Sequence, residues 1–309
     1  MVRKLASYFK EYKKEAIASP IFMVLEVVFE MILPLMIAKI IDLGVNKSNM
    51  EAILKYGGLM ILCAVGGLIA GLLGGKTAAK ASCGLAKNLR EDLFSRIQAF
   101  SFSNIDRFST SGLVTRLTTD VTNVQNAAQM ILRLMVRSPI SLITAMVLSF
   151  MVSARIAVIF LIAVVVLFIV ALLFIKRGWY YFGLMLPKYD EVNLVIQENV
   201  SAIRVVKSYV REEHEIEKLR KQNSILCKLS VKAESIIVYA MPLVQFTVYA
   251  CTLLVSWIGA HLIVTTSFTT GNLMTMLTYC INILTSLVLL SYGLVMVAIS
   301  AASAKRIAE

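Results

Sequence analysis

From Ser235 to Ala304 the chain carries no Asp, Glu, Lys or Arg, and a charge-free run of that length cannot form the surface of a water-soluble domain. The polar stretch Thr265-Thr266-Ser267-Phe268-Thr269-Thr270-Gly271-Asn272 divides it into two segments, each long enough to cross a bilayer as a helix. Four similar segments precede it, so the predicted spans are 16–41, 56–75, 134–153, 156–175, 236–264 and 272–299. Composition agrees: 58% of the 309 residues are hydrophobic and 16% are charged, too apolar a balance for an ordinary soluble fold. The third span is the least regular, because Arg133 and Arg137 stand at its start and are tolerable there only if paired or interfacial.

The 31 Lys and Arg against 19 Asp and Glu give a net charge of +12, and their placement explains the excess. On a six-span ladder, all but Lys39, Lys47, Lys55 and Arg155 fall on the side of the N-terminal arm, the stretches 76–137 and 176–232, and the C-terminal end. The positive-inside rule then puts both termini in the cytoplasm, with a plasma (inner) membrane location expected. Because topology accounts for the basic balance, nothing is left to argue for nucleic acid.

The first apolar run is span length and lacks a small-residue cleavage site, so no cleavable signal peptide is expected. Before it, Leu5, Tyr8, Phe9 and Tyr12 share one helical face and lysines the other, predicting an amphipathic elbow over 1–15 leading into a membrane domain over 16–309. Cys63, Cys83, Cys227, Cys251 and Cys280 have no metal-like spacing and are expected as free thiols. His214 and His261 are far apart in sequence and topology, so no metal site and no catalytic pair is expected.

Connections on one side are short, but excursions of about sixty residues separate spans two and three and spans four and five, too long for plain loops. In the first, Leu85, Leu89, Leu93 and Ile97 fall four apart, as do Leu113, Leu117, Val121, Val124 and Ala128 beyond a break at 101–112 rich in capping residues. In the second, Val192, Val195, Ile196, Val200, Ile203 and Val206 lead to Tyr209 and a charged turn, Arg211-Glu212-Glu213-His214. Both read as helical hairpins, with limbs of roughly twenty-five residues pushing each tip about 40 Å beyond the membrane. The fold class expected is therefore all-α: six transmembrane helices with two long cytoplasmic helical hairpins.

Ile105-Asp106 followed by Gly112-Leu113, Arg116-Leu117 and Asp120-Val121 forms one motif, and Glu198-Asn199-Val200-Ser201-Ala202-Ile203-Arg204-Val205-Val206-Lys207-Ser208-Tyr209 a second. Thr269-Thr270-Gly271-Asn272-Leu273 and Ala302-Ser303-Ala304-Lys305-Arg306-Ile307-Ala308-Glu309 complete the set. In this order the four resemble the intracellular loops and sixth span of type IV ABC exporters, the multidrug and lipid-exporter class, from end to end of the chain. The resemblance implies a dimer of such domains, homo- or heteromeric, forming a twelve-helix bundle. Asp106, Arg107, Phe108, Arg211, Glu212, Glu213 and His214 would sit at tips docking on nucleotide-binding domains that use Mg-ATP, and the substrate would be a hydrophobic or amphipathic small molecule.

Two departures stand out: Ala202 replaces the usual Gly, a change a helix tolerates, and Trp179-Tyr180-Tyr181-Phe182 is apolar where relatives are polar and basic. That tract reads as bundle packing, as an added ligand or partner surface, or as an engineered tract, and Pro187 just after it is expected to bend or break the helix.

Gly71-Leu72-Leu73-Gly74-Gly75-Lys76-Thr77 is the nearest approach to a phosphate-binding loop, but it has three residues where four are needed before Gly-Lys-Thr, and it lies at the end of a span. It reads instead as close helix packing. The family's ATPase domain would begin just beyond Glu309, so no catalytic residue is expected within 1–309.

Intramembrane charges take the functional reading first. Glu26 and Glu30 lie four apart in span one, as do Arg133 and Arg137 at the start of span three, predicting either a structural clamp or a polar patch lining a translocation cavity. Met241, Gln245, Tyr249, Tyr279, Asn282, Tyr292 and Met296 add the thioether, amide and aromatic chemistry of adaptable pockets. The competing classes are a secondary transporter, for which no pair of broken spans is evident, and a membrane receptor or channel.

Overall fold

The computed structural model describes residues 7–101 and 108–308. Among these every regular element is helical and none is a strand. We label the long helices α1 (Lys13–Lys39), α2 (Met50–Gln98), α3 (Thr110–Val152), α4 (Ala154–Ser201), α5 (Ile203–Ser208), α6 (Glu212–Thr265) and α7 (Thr270–Ala308). Six stretches are long and apolar enough to cross a membrane: Lys10–Val45, Met50–Gln98, Thr110–Val152, Ala154–Ser201, Pro242–Thr265 and Thr270–Ala308. Backbone groups in hydrocarbon must be satisfied within their own segment, which is why helix is the only form these runs can take.

The spans and the hairpin limbs, separate in the sequence reading, are continuous helices. α2 runs for 49 residues, about 73 Å at 1.5 Å per residue, more than twice the hydrocarbon thickness. It starts at Asn49, whose side chain accepts from the Ala52 amide at 3.2 Å, and ends at Ala99. At the opposite end from the hairpin tips the connections are tight: Asn46–Asn49, the single residue Ser153, and Thr266–Thr269.

By contacts the chain divides into two units, residues 1–161 with 251–309, and residues 162–250. In the first, α1 and α2 form the most extensively packed pair. Their seam is built on glycine. A Cβ on Gly74 would stand 2.2 Å from Met23 Cε, one on Gly84 would stand 2.2 Å from the Tyr12 ring, and Gly66 and Gly71 face Phe29 and Glu26. Backbones approach closely where side chains are missing, the usual basis of helix association in lipid. The Lys10–Tyr12 turn continues this seam: Asn88 donates to the Tyr8 carbonyl at 2.8 Å, and Tyr8 donates to Asp92 at 2.6 Å. Burial, together with the Asp92 carboxylate, pushes the Tyr8 phenol up from its ordinary pKa. Tyr8 and Phe9 pack on a core of Leu85, Ala86, Leu89, Val121, Val124 and Ala304, while Lys10, Lys13 and Lys14 stay exposed.

Among the described residues of this unit three π-helical turns interrupt the α geometry: Ile40–Val45 at the end of α1, and Arg116–Asp120 and Ile131–Met135 within α3. Such turns widen the helix by one residue and re-aim the next segment, often at functional positions. Thr115, Thr118 and Thr122 hydroxyls donate back to Ser111, Val114 and Thr118 carbonyls around the second.

In the second unit α4 continues through Pro187 without a break, contrary to the break the sequence allowed. A proline removes one i→i−4 bond, and in a helix of 48 residues the ladder on both sides holds. The chain turns instead at Ala202, between α4 and α5, with φ −98°. Alanine adopts that angle freely, so this position does not demand glycine. Lys218 to Glu198 (3.5 Å) and Asn199 to Glu215 (3.2 Å) join the limbs of this hairpin.

Candidate functional site

Within the first unit, Arg137 follows the third π turn and reaches α1. Its guanidinium donates to Glu30 Oε2 at 2.8 Å and stands 3.5 Å from Glu26 Oε1. Pro34, lacking an N–H, leaves the Glu30 carbonyl without its α-helical donor one turn on. Two carboxylates therefore share one guanidinium, and Glu26 Oε2 is buried without a hydrogen-bond partner. Arg133 is exposed and pairs with neither glutamate. The π turn at Ile131–Met135 separates the two arginines' directions, which a plain four-residue spacing does not anticipate.

The other residues singled out in the sequence are divided between the two units. Tyr279 is fully buried, its hydroxyl donating to the Met31 carbonyl at 2.9 Å, so it joins α7 to α1. Asn282 and Met296 are half-buried and Tyr292 is exposed on the same helix. In the second unit Gln245 and Tyr249 are exposed, and the side chain of Met241 lies outside those described. Trp179 and Tyr180 are 74% and 64% exposed, whereas Tyr181 and Phe182 are half-buried.

At the hairpin tips, Asp106 and Arg107 lie outside the described residues. Phe108 stacks on Phe100 with centroids 5.8 Å apart, and Arg116 lies over its ring at 4.5 Å. At the second tip Arg211, Glu213 and His214 are exposed, and Lys207 meets Glu212 at 3.2 Å. The backbone amide at the helix start, with Lys207 beside it, holds the Glu212 carboxyl below its ordinary range. Each tip carries a non-glycine residue at positive φ, Ser109 at 54° and Val210 at 50°. For β-branched Val210 this is a strained conformation, and the residue is 80% exposed.

Sequence reasoning missed the residues that hold α7. At its start, Asp42 accepts from the Thr269 hydroxyl at 2.6 Å and from the Gly271 amide at 3.0 Å, capping the helix from another segment. Gly271 is required there, since a Cβ would lie 2.5 Å from the Ala38 carbonyl oxygen. At its finish, Arg306 donates through Nε and a terminal nitrogen to both oxygens of Asp120, a carboxylate only 1% exposed. Both aspartates sit in π turns. Asp120 is buried but the Arg306 side chain is 49% exposed, so breaking this bidentate pair costs less than the about 3–5 kcal/mol of a fully buried one and more than the about 1 kcal/mol of a cap. Asp120 and Arg306 each belong to one of the exporter-like motifs, so their presence was visible and their pairing was not.

The segment Gly71–Thr77 lies inside α2, with Gly71 and Gly74 turned to α1. A strand-to-helix loop that could wrap phosphate is therefore absent at that place. Among the described residues no His, Cys, Asp or Glu cluster fits a metal ion, and all five cysteines are free.

The model of the ABC transporter transmembrane region matches residues 16–288. An uncharacterized ABC transporter ATP-binding protein of Bacillus subtilis, YfiB, is 32% identical over 308 residues, covering 100% of this chain and 54% of the relative. The Mycobacterium tuberculosis protein Rv1273c, described in the same words, is 26% identical over 99% of this chain and 52% of its own length. The human ABC-type oligopeptide transporter ABCB9 is 23% identical over 90% of this chain and 36% of its own length. The chain thus spans about half the length of the bacterial relatives. With six apolar helices, two long helical hairpins and a family match along most of its length, this chain belongs to the transmembrane-region family of ABC transporters.

Proposed function

We propose that residues 1–309 form the permease domain of an ATP-driven exporter, moving a hydrophobic or amphipathic molecule out of the cytoplasm or inner leaflet by alternating access. The observation that carries this reading is mechanical: helices of 49, 48 and 54 residues run on well past any bilayer as two hairpins of parallel plan. Helices whose backbone bonds are internal transmit displacement along their length, and nothing within the bilayer requires such extensions. Two copies, or this chain and a related one, would make the twelve-helix unit, with both termini and both hairpins in the cytoplasm.

The tips near Asp106–Phe108 and Arg211–His214 would dock on nucleotide-binding domains holding Mg-ATP. ATP-driven approach of those domains draws the tips together and turns the central cavity outward; ATP need only stabilise the outward state more than the inward one. Residues 1–309 bind and orient the substrate and perform no bond chemistry. Glu26, Glu30 and Arg137 are the proposed polar patch of the translocation path, with Tyr292 and Met296 of the same unit as further lining. The test is reconstitution of these residues joined to a family ATPase domain in sealed vesicles. ATP-dependent flux of an amphipathic dye supports the reading; flux driven by an ion gradient and indifferent to ATP overturns it.

A further inference from the structure

The aromatic tract of α4 has no part in the proposed translocation path. Because α4 starts at Ala154, Lys176 lies about 33 Å along its axis at 1.5 Å per residue. That is the far boundary of a hydrocarbon core about 30 Å thick, and on the proposed topology it is the cytoplasmic one. Residues 172, 173, 176, 179, 180 and 183 share one face of the helix, and all six are exposed within their unit. Leu172 and Leu173 stand above the boundary, Lys176 at it, and Trp179 and Tyr180 one turn below, with Arg177 bordering the face beside Tyr180. A Cβ on Gly178 or Gly183 would meet nothing within 4 Å, so the surface around the two rings is open. Tyr181, half-buried, meets the Tyr180 ring edge-on with centroids 5.3 Å apart.

Aliphatic, cationic and aromatic groups thus follow one another in the order of depth in which a phospholipid presents acyl chain, phosphate and headgroup. Charge selects among lipids. From Ala154 to Tyr189 the helix carries Arg155, Lys176, Arg177 and Lys188 and no acid. Lys188 meets Glu191 at 2.7 Å, whereas no salt bridge among the described residues involves Lys176 or Arg177. Long basic side chains at a hydrocarbon edge extend toward phosphate depth, where indole and phenol rings also settle.

We infer that Lys176, Arg177, Trp179 and Tyr180 form a binding site for one anionic phospholipid of the inner leaflet. Its phosphate lies on the two cations, its headgroup beside the two rings, and its acyl chains along Leu172 and Leu173. Bound there, the lipid fixes the depth of the fourth span, whatever energy source drives transport.

The test uses residues 1–309 in lipid nanodiscs. Trp179 and Trp257 are the two tryptophans of the chain, and Trp257→Phe or Trp179→Phe leaves one of them as the reporter. Trp257, exposed on α6, lies about 12 Å from the Thr265 end of that helix, toward the opposite boundary, and serves as the control. Bromine on an acyl chain quenches tryptophan on contact, so brominated phosphatidylglycerol and brominated phosphatidylcholine are each titrated by mole fraction. Half-maximal quenching of Trp179 is expected at a mole fraction about tenfold lower for the anionic lipid, since each basic group near a membrane surface adds about fivefold. For Trp257 the two lipids should differ by about twofold or less.

Lys176→Gln combined with Arg177→Gln should abolish the preference at Trp179. Lys228→Gln combined with Lys232→Gln removes the same charge from exposed lysines of the same unit and should change the preference by about twofold or less. Absence of quenching at Trp179 by either lipid would mean that protein covers the tract, a second copy included, and overturns the inference. Equal quenching by both lipids, a matching preference at Trp257, or loss of the preference in the Lys228 and Lys232 variant overturns it as well. Flux enters none of these measurements, so the result stands apart from that of the exporter reading.

Discussion

Replacing Arg137 with Gln leaves Glu26 and Glu30, one helical turn apart, with no shared cation. The side chains of Arg137, Glu30 and Glu26 are 32%, 36% and 18% exposed, which places the cluster between a surface pair, worth about 0.2–1 kcal/mol, and a fully buried one, whose disruption costs about 3–5 kcal/mol. We expect Arg137→Gln to cost about 3 kcal/mol, because it strands two like charges. Glu30→Gln should cost about 1–2 kcal/mol, since Arg137 keeps Glu26. Glu26→Gln should be nearly neutral, within about 0.5 kcal/mol: its contact is the longer one, and a neutral amide is cheaper to bury than the charged oxygen that has no partner there. The double change Glu30→Gln with Arg137→Gln should cost less than the sum of the single changes by about 1 kcal/mol or more. Reversible unfolding in mixed micelles, followed by helix circular dichroism, measures all four. Additive losses within about 0.3 kcal/mol, or a Glu26→Gln cost equal to that of Glu30→Gln, would refute the shared-cation account. In the ATPase-joined protein the same substitutions should change substrate-stimulated hydrolysis more than basal hydrolysis.

Gly271→Ala should cost about 2 kcal/mol or more in the same assay, since its Cβ meets the Ala38 backbone as well as the Asp42 carboxylate; wild-type stability would mean α7 can shift away from Ala38. Val210→Gly should raise stability by about 1 kcal/mol through relief of the positive φ, and an unchanged or lower midpoint would show that the tip is unstrained. Equilibrium dialysis of residues 1–309 with labelled ATP should show no saturable binding, because the glycine-rich stretch is locked inside α2. Cysteines introduced at Ser109 or Arg211 should react with an impermeant maleimide only from the cytoplasmic side and one at Asn46 only from outside, as the charge distribution demands; the reverse pattern would invert the topology.

The helices and hairpins were legible because both signals are local: apolar runs of span length, and leucines and valines four apart at 85–97 and 113–128. Gly71 and Gly74 were legible as packing for a related reason, since small residues at the end of a span have few other uses, whereas Gly75 faces open space. The partners of Asp42 and Asp120 were not. Each sits in a π turn, and one extra residue in a turn leaves no mark on hydrophobic periodicity while changing which way every later side chain points. The same shift separates Arg137, which finds two glutamates, from Arg133, which finds neither. Tyr279 looked like a pocket residue by type, but register places its hydroxyl on a backbone carbonyl of α1, and register is a tertiary property.

The glycine seam between α1 and α2 bears on how the chain is made. Helices that emerge first, are joined by the short Asn46–Asn49 link and meet through Gly66, Gly71, Gly74 and Gly84 can associate in the bilayer while later segments are still on the ribosome, since close backbone contact needs no help from them. The last of the six helices, by contrast, arrives when α1 and α3 have already been made, and its two aspartate partners are in place to receive it. Assembly order is thus written into the interfaces: an early hairpin sealed by missing side chains, and a late helix seated by ionic and capping contacts that recognise its two ends.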